Sequence, residues 1–202
     1  MRLIEEIERC VPAFDYPDEP LIEAITSPEI RALVRRKNGA LALSGALVLF
    51  GCGGDQRSPL HFSRYQAWAG RTDYGIEPTD DIFGADIFGD LLFARAGAVF
   101  RLDGELGEHV RLGDLSSFFD RQLSDIAEEL GGKLGREHFA HRVLGLDPLR
   151  LLPTLPFMMQ QHVRGEFFET PLWRALVLKH RLFVACRDAP NGAEIDCSFW
   201  RP

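Results

Sequence analysis

The stretch Asp81-Ile82-Phe83-Gly84-Ala85-Asp86-Ile87-Phe88-Gly89-Asp90 decides how this chain is read. Asp-Ile-Phe-Gly occurs in it twice, five residues apart, and runs straight into the apolar string Leu91-Leu92-Phe93-Ala94. From Thr72 to Ala94 there is no Lys or Arg, but there are six acids: Asp73, Glu77, Asp80, Asp81, Asp86 and Asp90. The whole chain of 202 residues has a formal net charge of -7, so this one stretch carries a charge of nearly that size. Three readings compete. The Ile-Phe pairs anchor a core, the glycines allow turns and the acids are solvated. The acids form a face for a basic partner. Or paired carboxylates bind a divalent cation or act as acid and base. The spacing is not that of a calcium loop, which places Asp or Asn at every second position and ends in Glu.

Beyond this stretch the pattern is that of a meander. Strands are expected over about Asp86 to Ala94, Ala98 to Leu102 and Glu108 to Leu112, with Arg95-Ala96-Gly97 and Asp103-Gly104 as turns. Upstream, residues 1–26 read as a short helix and a loop, with Pro12, Pro17 and Pro20 stopping the helix. Ser27, Pro28 and Glu29 open a clearer helix. Ile30, Leu33 and Val34 form its apolar face, and Gly39 ends it. A strand should follow from Ala40 to Phe50, with Ser44-Gly45 as a bulge or turn. Tyr65 to Ala69 is a short apolar piece around Trp68. Downstream, Asp114, Ser116 and Ser117 offer caps for a helix running to Leu130, which Gly131-Gly132 ends. Leu182 to Cys186 and the alternating run Glu194 to Ser198 read as a hairpin about Pro190-Asn191-Gly192. The fold class expected is α+β, a mainly antiparallel sheet with helices packed against it, in one domain over residues 1–202.

Composition excludes several functions. Hydrophobic residues make up 46% and charged residues 26%, a globular balance. The pI near 5.4 argues against direct nucleic-acid binding, which needs a basic face. The longest apolar run, Ala40 to Gly54, holds four glycines and is too short to span a membrane. The start of the chain does not read as a signal peptide, and a soluble cytoplasmic protein is expected.

The catalytic signals are thin. Cys10, Cys52, Cys186 and Cys197 form no Cys-x-x-Cys pair and have no zinc spacing with a His. Cys52, in Gly51-Cys52-Gly53-Gly54, is the one candidate thiol nucleophile. Gly132-Lys133 lacks the Ser or Thr and the earlier Gly of a phosphate loop. His138 and His141 lack the Glu of the zinc-protease motif. No catalytic residue, metal or cofactor is assigned.

The order of landmarks resembles the SUKH superfamily, which contains fungal cell-wall-synthesis regulators and many bacterial toxin-immunity proteins. Asn38-Gly39 and Ala46-Leu47 are similar to a helix end and the strand after it, and Trp68 to a Trp of a connecting segment. Asp86-Ile87-Phe88-Gly89-Asp90, with Phe93 beyond, looks like the acid-apolar-Phe-Gly entry into a strand. Val99 to Asp103 and Glu105-Leu106-Gly107-Glu108 resemble the next strand and turn, although Leu106 stands where the family usually has Thr. Ser116, Pro156-Phe157, Val184-Ala185 and Pro190-Asn191-Gly192 extend the likeness, which spans about residues 27–195. The resemblance implies a protein-binding module rather than an enzyme, most simply an immunity protein that neutralises a toxin domain by direct binding. A regulatory scaffold with a cellular partner, and a small hydrolase or metal-dependent enzyme, are the alternatives. Asp73, Glu77, Asp80 and Asp81, ahead of the expected strand, are the acids expected to be exposed and to bind the partner.

Overall fold

The computed structural model describes residues 1–139, 148–154, 156, 166–190 and 193–201. At its centre is a six-stranded antiparallel sheet in which each strand pairs with the next along the chain. The strands are β1 (Ala40–Ala42), β2 (Leu47–Leu49), β3 (Asp81–Ala85), β4 (Leu91–Arg95), β5 (Ala98–Leu102) and β6 (His109–Asp114). A second antiparallel pair, β7 (Leu149–Pro153) and β8 (Phe167–Pro171), stands apart. The helices are α1 (Leu3–Arg9), α2 (Glu19–Glu23), α3 (Pro28–Arg36), α4 (Phe62–Ala69), α5 (Leu115–Phe118), α6 (Leu123–Glu129), α7 (Gly132–Phe139) and α8 (Leu172–Arg187). The α+β class with a mainly antiparallel sheet is as expected.

The centre of the sheet is covered on both faces. Leu91, Leu92, Phe93 and Ala94 are all buried, so side chains on either side of β4 meet packed layers. The far edge, β6, is built differently. Val110, Arg111 and Asp114 are exposed and Arg111 pairs with Asp114, which guards the edge against further strand pairing. Between β4 and β5 the loop is only Ala96-Gly97, at φ +48° and +76°. Positive φ at both central residues is the hairpin geometry that matches strand twist.

The expected start of α3 is also present. Ser27 Oγ accepts from Ile30 N–H at 3.3 Å, Pro28 occupies the first turn, and Gly39 turns at φ +73°. Pro20 opens a helix that the sequence reading did not include: Asp18 accepts from Leu21 N–H at 3.2 Å at the start of α2.

Several expectations are corrected. The single strand over Ala40 to Phe50 is a hairpin, because Leu43, Ser44 and Gly45 all take positive φ and reverse the chain. The helix from Ser116 to Leu130 is two helices. Phe119 O accepts from Ile4 N–H at 2.8 Å and Leu123 N–H donates to Met1 O at 2.9 Å, so the N-terminal segment takes the bonds that a continuous helix would use. Tyr65 to Ala69 belongs to α4. Gly132-Lys133 opens α7.

Leu182 to Cys186 is the last part of a 16-residue helix, not a strand. Leu172, Ala175, Leu176, Lys179 and Leu182 are the buried stripe of α8, at helical spacing. Residues 193–197 form no strand, and Asn191 and Gly192 lie outside the described residues, as do Phe157 and His141. The principal core joins residues from Leu3 to Leu176. A satellite core of Leu152, Phe168, Ala175, Leu178, Leu182 and Trp200 packs beneath α8.

Candidate partner-binding site

The two copies of Asp-Ile-Phe-Gly fold differently. The first is β3. There Gly84 is required by close approach, since a Cβ would collide with the Val48 carbonyl oxygen of β2. The second is not the start of a strand but the turn between β3 and β4. Asp86 Oδ1 accepts from Phe88 N–H at 2.9 Å and Asp90 N–H at 3.0 Å, and Gly89 takes φ +80°. The strand expected to begin at Asp86 therefore begins at Leu91, and its partner begins at Asp81.

That shift changes the fate of the acids. Asp73 and Glu77 are exposed, as expected; Asp80 and Asp81 are buried, against expectation. Asp80 accepts from Arg95 Nε at 2.7 Å and from Glu77 N–H at 2.7 Å, and also pairs with Arg95 Nη2. Asp81 accepts from Thr26 N–H at 2.9 Å and Ser27 N–H at 2.6 Å, tying β3 to the entry of α3. Burial raises its pKa, and these two N–H groups oppose the rise. Asp73 is exposed but meets Arg187 Nη1 at 2.7 Å.

Asp86 and Asp90 enter a buried ionic cluster. Lys179 Nζ of α8 lies 2.6 Å from Asp90 Oδ1, which also accepts from Gly104 N–H at 3.0 Å. Arg101 of β5 stands 3.7 Å from Asp86 Oδ2. Arg150 of β7 donates through Nη1 to the carbonyls of Gly45 at 2.9 Å and Asp86 at 3.0 Å. Burial, reinforced by the Asp90 charge, pushes Asp86 up to about 7, against the pull of Lys179 and Arg101. Burial also lowers Arg150 to about 10. On Lys179 burial acts against the charge, but Asp90, Asp86 and Glu105 outweigh it and hold its pKa up. Asp86 is 0% exposed and Arg150 and Lys179 are each 1% exposed. The cluster clamps a turn, a strand and a helix together, and offers no face to a substrate in this conformation.

The candidate thiol is also enclosed. Cys52 is buried, and burial pushes its pKa up to about 12, so the inert thiol form dominates at neutral pH. Asn38 grips its backbone, with Oδ1 accepting from Cys52 N–H at 2.7 Å and Nδ2 donating to Cys52 O at 3.2 Å. Among the described residues no group of three His, Cys, Asp or Glu is placed to hold a metal ion.

One open feature remains beside the exposed acids. A groove of about 420 Å³ lies between α2, α4 and the turn before β3. Leu21, Ala24, Phe62, Ala67 and Pro78 give it apolar walls; Glu77 and Asp81 are its carboxylates. Gln66 holds the wall in place, donating to Asp80 O at 2.7 Å and accepting from Ile82 N–H at 3.2 Å. The structure thus brings Glu77 and Asp81 to one groove and leaves Asp73 and Asp80 outside its lining. The sequence reading missed Phe62 and Gln66. The signal was the spacing of Phe62, Tyr65 and Ala69, the buried positions of α4.

No family model, curated protein or solved structure matches the chain. No helix among the described residues is long and apolar enough to cross a membrane.

Proposed function

We propose that this chain is a non-enzymatic binding protein that docks onto a basic protein, most simply a toxin domain that it neutralises. The observation that carries the reading is the apolar-walled groove with the exposed Glu77 in its lining. Glu77 takes part in no ion pair with another described residue. An apolar centre with a charged rim is the anatomy of a transient interface. A net charge of -7 steers a basic partner toward it. The resemblance to the SUKH superfamily supports the same reading, because its bacterial members are thought to neutralise toxins by direct binding. The burial of Asp80 and Asp81 narrows the expected acidic face to Glu77, with Asp73 as a flanking charge already shared with Arg187.

The test is co-expression with the product of the neighbouring reading frame. A stoichiometric complex that also abolishes that product's toxicity is expected. A toxic neighbour that neither co-purifies with this chain nor is neutralised by it would contradict the proposal.

A further inference from the structure

Next to the docking groove, across Ser63 and Ala67 of α4, lies a concavity of about 360 Å³, lined also by Gln56, Arg64, Trp68, Arg71 and Trp173. Arg64, Trp68 and Arg71 follow one another at helical spacing, with Arg71 just past the helix end. Trp173, at the start of α8, closes the groove from the other side.

The aromatic wall is well packed. Trp68 meets Trp173 edge-on at 6.2 Å between ring centres, and is backed by Tyr74 at 5.8 Å and His180 at 5.9 Å. The Arg64 guanidinium lies 4.4 Å from the Trp173 ring centre, and its Nη1 donates to Arg57 O at 3.0 Å. Its direction is thereby set while other N–H groups stay available. Among the described residues no acid lines the groove, and neither Arg64 nor Arg71 forms an ion pair with a described residue. In a chain of net charge -7, two arginines without carboxylates beside two indole rings make this groove a local cationic and aromatic surface.

We propose that this groove binds a small ligand in which a planar ring is joined to a phosphate. The ring lies against Trp68 and Trp173, and the phosphate takes the guanidinium donors of Arg64 and Arg71. Two cations, Arg64 held in place and Arg71 at the exposed rim, suit a group carrying close to two negative charges, and guanidinium forks match phosphate oxygens. The volume lies within the range of small-ligand pockets. This site adjoins the docking groove along α4 and shares Ser63 and Ala67 with it, but its arginines and tryptophans line this groove and not the other.

Two of the three tryptophans line the groove, while Trp200 is buried with its Nε1 donating to Pro153 O at 2.8 Å. Indole fluorescence therefore reports on the site. The full chain is titrated with adenosine monophosphate, with phosphotyrosine and with inorganic phosphate. Saturable quenching with a half-point below about 1 mM is expected from at least one of the two ring phosphates, with inorganic phosphate weaker. The tighter of the two identifies the source of the ring. Arg71→Gln, at an exposed position, should weaken binding about tenfold, as should Arg64→Gln. Three results would overturn the assignment: no quenching by either ring phosphate, equal affinity for inorganic phosphate, or unchanged affinity in both variants.

Discussion

Asp86 shows how burial redirects a residue that reads as surface. Its carboxyl is held by the turn it closes and faces Asp90 in the same turn, Arg101 from β5, Lys179 from α8 and the Arg150 strand from β7. Its folded pKa of about 7 lies above the unfolded value of about 4. Between those values the folded state binds the extra proton, so this group's contribution to stability falls as pH rises through that window. Asp86→Asn keeps the turn-closing oxygen but cannot ionise. The stability of the wild type relative to Asp86→Asn should therefore decrease from about pH 4 to about pH 7 in urea melts. A difference that grows with pH would contradict the account. The neighbouring pair gives a second test. Lys179→Met leaves Asp90 buried without its ammonium and should cost about 3–5 kcal/mol. Adding Asp90→Asn, which still accepts from Gly104 N–H, to Lys179→Met should recover much of that loss; simple additivity of the two changes would argue against the pairing.

None of these roles was legible in the sequence. Asp80 meets Arg95 at 15 positions' distance, Asp81 meets Thr26 at 55, and Asp90 meets Lys179 at 89. A run of acids without nearby Lys or Arg looks solvated when its counter-charges come from elsewhere in the fold. Gly84 and Gly89 make the same point. Identical tetrapeptides use glycine once to let a strand approach and once to turn left-handed.

Where an element carries its own signals, the sequence reading succeeds. Ser27, Pro28 and Gly39 bound α3, and the turn residues at 95–97 and 103–104 separate β4, β5 and β6. Where another segment supplies the decisive bonds, it fails. The break between α5 and α6 depends on backbone groups of Met1 and Ile4, which no local pattern near Phe119 reports. Leu182 to Cys186 is too short to separate helix from strand by periodicity, and the nearby Asn-Gly signal tipped the reading to a hairpin. The eight-residue α4 likewise shows its stripe only when extended back to Phe62, and both candidate grooves flank it. The β4–β5 turn offers a test at this scale. Ala96, exposed and at φ +48°, holds a conformation that Asn tolerates better. Ala96→Asn should stabilise the protein by about 0.5–1 kcal/mol in denaturant melts; a loss of stability would speak against positive φ at this position.

At the scale of the molecule, the net charge of -7 is not spread as the sequence suggests. Of the six acids from Asp73 to Asp90, Asp80, Asp81, Asp86 and Asp90 are buried and serve the fold, and Asp73 is shared with Arg187. Glu77 is left at the groove between α2 and α4, with its apolar walls, and the Arg64–Arg71 groove adjoins it through Ser63 and Ala67. A meander held by a buried ionic clamp thus presents two adjoining surfaces of opposite charge along one short helix. The docking claim rests on Glu77 acting as a charge, whereas the buried acids act as structure.

The most direct measurement is stopped-flow association of the full chain with the product of the neighbouring reading frame, over a series of salt concentrations. Glu77→Lys, at an exposed position that leaves the ionic cluster untouched, should slow association about tenfold at low salt and flatten its salt dependence. Association at the wild-type rate at low salt, with the wild-type salt slope, would contradict the claim that this groove receives a basic partner.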